Sequence, residues 1–268
     1  MDQGETVEIT LITGAGRGIG HAIALQYAQA RSAGIIIVAR SGDRLDEVES
    51  AIKNISGGTK ALKSTTDVTS IDAVTQLAKK VETEFGRLDV PINNAGSAQL
   101  WAKLHETDPL SWWNTFEVNV KAPYLLLRSL LPLLASTAEK YNTTSTVINT
   151  SSLAANMVAP GASAYSTRKT ALDMLTEFVM QEYGDRGVVC VSVQPGAVPT
   201  VFSLAEPAVR HLLTDTPELC GGWCVWMTSQ PRQWLSGRAV SATWDVGRLE
   251  ELREDIVNGD KLKKRLVI

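Results

Sequence analysis

The chain has 268 residues, 44% of them apolar and 21% charged, proportions of an ordinary globular protein with a substantial core. A net charge of -3 and the lack of any basic block argue against nucleic acid or an anionic membrane surface as main partner, which leaves small molecules. No apolar run approaches the ~18 residues of a membrane span, and the opening MDQGETVEIT lacks the basic-then-apolar pattern of a signal peptide, so a cytoplasmic protein is expected.

In chain order, short apolar or β-branched runs alternate with longer helical patterns. The runs are Val7 to Thr13, Ile35 to Ala39, Leu88 to Asn93, Thr146 to Thr150, Val188 to Val193 and, more weakly, Ala239 to Ala242. Between them, Ile19 to Ala33, Arg44 to Ile55, Ile71 to Phe85, Trp112 to Leu134 and Tyr165 to Tyr183 have helical length and spacing. Strands that alternate with helices imply parallel βαβ units, hence an α/β, doubly wound parallel sheet with helices on both faces. No repeat, low-complexity tract or linker divides the chain, so one domain is expected over residues 1–268. Pro91 falls in a central strand, where its missing N–H needs a tolerant ladder position. Val198 to Glu218 lacks periodicity and carries prolines at 199, 207 and 217, which reads as a substrate lid, mobile until substrate binds. A tail occupies 246–268. Cys190, Cys220 and Cys224 fit neither a disulfide framework nor a zinc site, so they are expected to be reduced and no metal is expected.

Immediately after the first run stands TGAGRGIG, Thr13 to Gly20, leading into a helix. A glycine turn at that junction lets backbone approach a pyrophosphate, although it also serves plain strand-on-helix packing. An NAD enzyme carries an acid at the end of the second strand, whereas this chain has Ala39 and Arg40 there. A guanidinium at Arg40, assisted by Arg17, suits the 2'-phosphate of NADP. The rival reading has Asp43 reach back to the ribose and favour NAD. In SAYSTRK, Tyr165 and Lys169 are four residues apart on one helical face. That spacing is common on any helix surface, yet a cation held beside a phenol also favours the phenolate and equips the pair for acid–base work.

Together these residues resemble the short-chain dehydrogenase/reductase family over roughly residues 7–245, in motifs that recur in its order. TGAGRGIG is similar to the family's cofactor loop, which implies cofactor contacts at Gly14, Arg17, Gly18, Ile19 and Gly20. Asp67 and Val68 in TTDVT match its adenine-side acid, and Asn94, Ala95 and Gly96 in NNAG match the turn after the fourth strand. Asn119, Ser152, Tyr165 and Lys169 match the catalytic tetrad, Ser152 being preferred to Ser151 by its separation from the tyrosine. Pro195, Gly196, Val198 and Thr200 in PGAVPT match the segment beside the nicotinamide. The tail looks like that of fungal reductases of specialised metabolism.

The resemblance implies a Rossmann-type sheet of about seven strands and NADP(H) as cofactor. The expected activity is reduction of a ketone or aldehyde of an apolar small molecule, or oxidation of the alcohol. Tyr165 would give the proton, Ser152 would bond the same oxygen, Lys169 would hold the nicotinamide ribose, and Asn119 a relay water. A redox-neutral step on the same fold and a non-catalytic NADP-binding regulator are the alternatives. A homodimer or homotetramer is expected through the helices that hold Trp112 to Leu134 and Tyr165 to Tyr183.

Overall fold

Ile35 and Ile37 of the second strand join one apolar cluster and Ile36 and Val38 the other, and all four are sealed from solvent. A strand apolar on both faces needs cover on both, which only helices of parallel crossovers supply. The computed structural model describes residues 8–97 and 100–266, without the side chain of Phe202; Val7, at the start of the first expected strand, and the Phe202 side chain, within the expected lid range, lie outside the described residues. Strands β1 (Ile9–Thr13), β2 (Gly34–Ala39), β3 (Lys60–Thr65), β4 (Val90–Asn93), β5 (Ser145–Thr150), β6 (Val188–Gln194) and β7 (Ala239–Ser241) form one sheet in the order β3-β2-β1-β4-β5-β6-β7. Every pairing is parallel. The order reverses at β1 and β4, so the loops leaving these strands diverge and open a crevice at their carboxyl ends.

The helices are α1 (Gly18–Gln29), α2 (Gly42–Ile55), α3 (Ile71–Phe85), α4 (Pro109–Phe116), α5 (Ala122–Tyr141), α6 (Ser163–Tyr183), α7 (Val201–Ala205), α8 (Pro217–Thr228), α9 (Val246–Glu251) and α10 (Arg253–Asn258). Helices α1, α2 and α8 cover one face through Ile23, Tyr27, Val48 and Trp223. Helices α3, α5 and α6 cover the other through Leu77, Leu126, Leu130 and Val179. The Tyr27 hydroxyl donates to the Cys224 carbonyl at 3.2 Å and ties α1 to α8. All three cysteines are free and buried.

The structure amends the expected elements at three places. A strand appears at Lys60–Thr65, at the edge of the sheet, where Lys60 and Lys63 are exposed. The single helix expected from Trp112 to Leu134 is instead α4, a π-helical turn at Glu117–Lys121 and α5, which runs on to Tyr141. The stretch expected as an irregular lid holds α7 and a 3-10 turn at Pro207–Leu212, and its last residues open α8. Pro207 and Pro217 occupy first helical turns, where a missing N–H costs nothing. Pro91 pairs with Leu11 of β1, and the β4–β5 ladder begins only at Ile92. No described helix is long and apolar enough to cross a membrane.

Candidate active site

The loop after β1 depends on absent side chains at two points. A Cβ on Gly14, whose φ is +69°, would lie 2.9 Å from the Ala95 Cα, and one on Gly20 would lie 2.4 Å from the Gly14 carbonyl oxygen. Glycine there lets the turn fold onto the start of α1 and against the segment after β4. Thr13 completes the join: its hydroxyl accepts from the Asn94 and Ala95 N–H groups, both at 3.0 Å, while the Asn94 side chain donates to the Thr13 carbonyl at 3.0 Å. Gly14 and Gly20 thus pack against Asn94 and Ala95 where β1 and β4 end, whereas Gly18 lies toward Thr200, Ile19 packs against the core, and Gly96 lies toward Asn119. Arg17, the exposed residue before α1, contributes no side-chain cap. No acidic residue stands in the first turn of α1, so its N–H groups present undiminished positive potential.

At the far end of β2 stand the residues expected on the adenosine side of a cofactor. Arg40 is exposed, and its charge adds to the two Thr69 hydrogen bonds that hold the Asp67 carboxyl below the usual range. Those bonds, from the Thr69 N–H at 2.9 Å and hydroxyl at 2.7 Å, fix one Asp67 oxygen; the neighbouring Val68 is buried. Arg44 was not singled out from the sequence. Its Cβ lies 3.2 Å from where a Gly16 side chain would begin, so a second guanidinium stem rests on the glycine loop. It follows Arg40 by four residues, which was the available signal. Asp43 is exposed in the first turn of α2.

Four further residues stand where strands β4 and β5 end. Asn119 is buried in the π-helical turn, its side-chain nitrogen donating to the Thr115 carbonyl at 2.8 Å and the Ser97 carbonyl at 3.1 Å. Its Oδ1 lies 3.1 Å from where a Cβ on Gly96 would sit. One inserted residue in a helical turn re-aims a side chain without ending the helix. Ser152 caps a 3-10 turn at Leu153–Asn156, its hydroxyl accepting from the Ala154 N–H at 3.2 Å. Thr170 anchors that turn to α6 by donating to the Ala155 carbonyl at 2.8 Å. Tyr165 is half-buried near the start of α6. Lys169, one turn on, is buried and donates to the Thr150 carbonyl at the end of β5 at 2.6 Å. Burial first, then the positive charge of Arg168, pushes its ammonium down to about 7 against the pull of Asp173.

The segment after β6 reaches the glycine loop through Thr200. Gly196 has φ +96°, the Ala197 N–H donates to Asp215 at 2.6 Å, and the Asp215 N–H returns to the Ala197 carbonyl at 3.1 Å. Pro195 is half-buried and Val198 buried. Thr200 caps α7 in a box with Ser203, and its methyl lies 3.8 Å from where a Gly18 side chain would begin. Glu206, beyond α7, accepts from the Trp101 N–H at 2.9 Å and links this segment to the loop after β4. Val201, Leu204 and Leu212 are exposed. No cluster of metal-ligating side chains occurs among the described residues.

Residues 8–208 match the short chain dehydrogenase family. The short chain dehydrogenase mpl6 of Monascus purpureus is 43% identical over 263 residues, covering 96% of this chain and 88% of that protein. Another short chain dehydrogenase, pgmD of Aspergillus terreus, is 36% identical over 279 residues, covering 99% and 88%. Among solved structures, the 3-ketoacyl-(acyl-carrier-protein) reductase from Brucella melitensis complexed with NADH has a TM-score of 0.79 at 22% identity, over 87% of this chain and 96% of that one. A 7α-hydroxysteroid dehydrogenase complexed with NADH and 7-oxo glycochenodeoxycholic acid has a TM-score of 0.78 at 21% identity, over 87% and 92%. The match over three quarters of the length, with relatives above 30% identity across nearly all of it, makes this chain a member of the short chain dehydrogenase family.

Proposed function

We propose that the chain is a cytoplasmic, NADPH-dependent reductase of a ketone or aldehyde on an apolar small molecule, able to oxidise the matching alcohol. The observation that carries the reading is on α6, where Tyr165 stands one turn from a buried Lys169 anchored on the Thr150 carbonyl. Gly14 and Gly20 fold the loop tightly onto the chain's own backbone at the start of α1, where free helix N–H groups suit the pyrophosphate of a dinucleotide. Gly14, Arg17, Gly18, Ile19 and Gly20 would hold its pyrophosphate, Arg40 and Arg44 the 2'-phosphate, and Asp67 with Val68 the adenine. Asn94, Ala95, Gly96, Pro195, Gly196, Val198 and Thr200 would line the nicotinamide half, and Lys169 its ribose. When bound, the reduced nicotinamide supplies hydride.

The chain's own residues supply the proton and the charge stabilisation. Tyr165 donates its phenolic proton to the substrate oxygen, and the Ser152 hydroxyl donates a hydrogen bond to that oxygen as negative charge develops. Asn119, fixed by the Thr115 and Ser97 carbonyls, holds the water that returns a proton from solvent. Lid residues Val201, Leu204 and Leu212 offer apolar surface to the substrate. The test is the stoichiometry of NADPH consumption over a panel of ketones and aldehydes. Product alcohol equal to NADPH consumed is the expected result, and product formation without net NADPH loss would replace the reading with a redox-neutral one.

A further inference from the structure

Arg168 is the largest fully buried side chain among the described residues, 1% exposed, on the turn of α6 between Tyr165 and Lys169. A buried guanidinium ordinarily rests on a carboxylate. This one does not: Nε and Nη1 have no hydrogen-bond partner, and the guanidinium carbon lies 4.6 Å from the ring centroid of Tyr165. The nearest carboxylate on the same helix, Asp173, is paired at 2.8 Å with Lys264 of the C-terminal tail. It acts on Lys169, whereas the ionisable neighbour that acts on Arg168 is Tyr165.

A cation on an aromatic face attracts a phenolate more strongly than a phenol, because the phenolate spreads its negative charge into the ring. With no carboxylate to neutralise it in a site of low dielectric, the guanidinium directs that attraction at the ring. We propose that Arg168 is a positioning residue for proton transfer: laid on the Tyr165 ring, it is the standing cation that stabilises the phenolate left when Tyr165 gives its proton to the substrate. The inference rests on Tyr165 being the donor. In the reducing direction the Tyr165 O–H bond breaks and the O–H bond of the product alcohol forms on the oxygen that hydride addition has made an alkoxide. Alcohol oxidation runs the same transfer backwards, with the phenolate as base. The same role was expected of Lys169, whose ammonium is held on the Thr150 carbonyl at 2.6 Å, whereas the Arg168 guanidinium lies on the ring itself. Burial brings Arg168 down only to about 10, so it stays charged at neutral pH.

The test compares wild type with Arg168→Met, which keeps the apolar stem, and Arg168→Lys, which keeps the charge. The ultraviolet absorbance of phenolate is followed against pH, with the Tyr165→Phe protein subtracted to isolate this ring. Removing the cation is expected to move the ionisation of Tyr165 to higher pH by about one unit, with lysine restoring most of it. The rise of alcohol oxidation with pH, measured with NADP and an oxidisable alcohol, should move alkaline by the same amount. Identical absorbance titrations in wild type and Arg168→Met would overturn the proposal, as would a rate lowered equally at every pH with its profile unmoved. NADPH binding checks folding, and should Arg168→Met fail it, the uncharged Arg168→Gln is titrated in its place. If wild type turns over no alcohol or ketone, the proposed activity falls, while the absorbance titration still decides the role of Arg168.

Discussion

Ser151 and Ser152 leave β5 side by side, yet one hydroxyl is sealed in the core without a partner while the other is half-buried at the cap of the next turn. Only the second has access to a substrate. Ser152→Ala should lower kcat by roughly 10²-fold and leave NADPH affinity unchanged, whereas Ser151→Ala should alter neither, having no bond to lose. The reverse pattern in steady-state kinetics would transfer the role to Ser151. Lys169 carries a pH signature. The folded protein releases its proton near 7, the unfolded chain near ~10.4, so between these values the unfolded chain binds more protons and stability rises with pH. Below about 7 the cost of a buried ammonium is present in full. Lys169→Met should therefore raise the melting midpoint at pH 6 and do so less at pH 9; equal shifts at both would mean that burial of this charge is not what the mutation relieves. For cofactor choice, Arg40→Ala and Arg44→Ala should each weaken NADPH binding far more than NADH binding, their combined loss removing discrimination on the order of 10 to 10³-fold. A wild type that binds both cofactors equally in low salt would hand the site to Asp43 and NAD.

What was legible in the sequence follows from where each signal resides. Helix α3 matches the range expected from its spacing to the residue, and the structure shows why it ends there: Ser70 accepts from the Ala73 N–H at 3.3 Å, and Gly86 stops the helix at φ +65°. Strands β1, β2 and β6 were legible as continuous apolar runs, since both their faces are buried. Strand β3 was not, because an edge strand with exposed lysines has no apolar run to show. The glycine loop and the Tyr165–Lys169 spacing are local and could be read, whereas the π-helical turn at Asn119 has no period of its own. Arg44 against Gly16 and Arg168 on the Tyr165 ring exist only once the chain has folded. The stretch expected as a lid was read without its shape, because its prolines start helical turns instead of interrupting them. Glu206 pins it to the Trp101 N–H and Asp215 closes its base. Glu206→Ala should therefore speed hydrogen exchange over residues 200–213 and raise the KM for the carbonyl substrate with little change in NADPH affinity. Unchanged exchange would show that the Trp101 link does not hold the lid.

At the scale of the whole molecule, α5 and α6 present an outer surface that the monomer leaves uncovered. Tyr124 is 49% exposed, Met174 42% and Phe178 55%, although both helices bury their opposite sides in the core. The same helix that carries Tyr165 and Lys169 in its first turns carries Met174 and Phe178 in its later ones. Its flank toward the tail is held by charge instead, Lys264 on Asp173 at 2.8 Å and Arg265 on Glu177. A net charge of only -3 offers little repulsion between copies. A homodimer that joins α5 and α6 across a two-fold axis would bury these aromatic and methionine side chains and brace the helix on which catalysis depends. Wild type should therefore run as a dimer or tetramer by light scattering at micromolar concentration, and Tyr124→Glu with Phe178→Glu should yield monomer, because four carboxylates, two from each copy, would have to be desolvated at the interface. Turnover should fall with dimer content while the isolated monomer still binds NADPH, whose proposed cradle lies at the ends of β1, β2 and β4. A wild type that is monomeric at that concentration, or a double variant that remains a dimer, would place the association elsewhere on the surface or remove it.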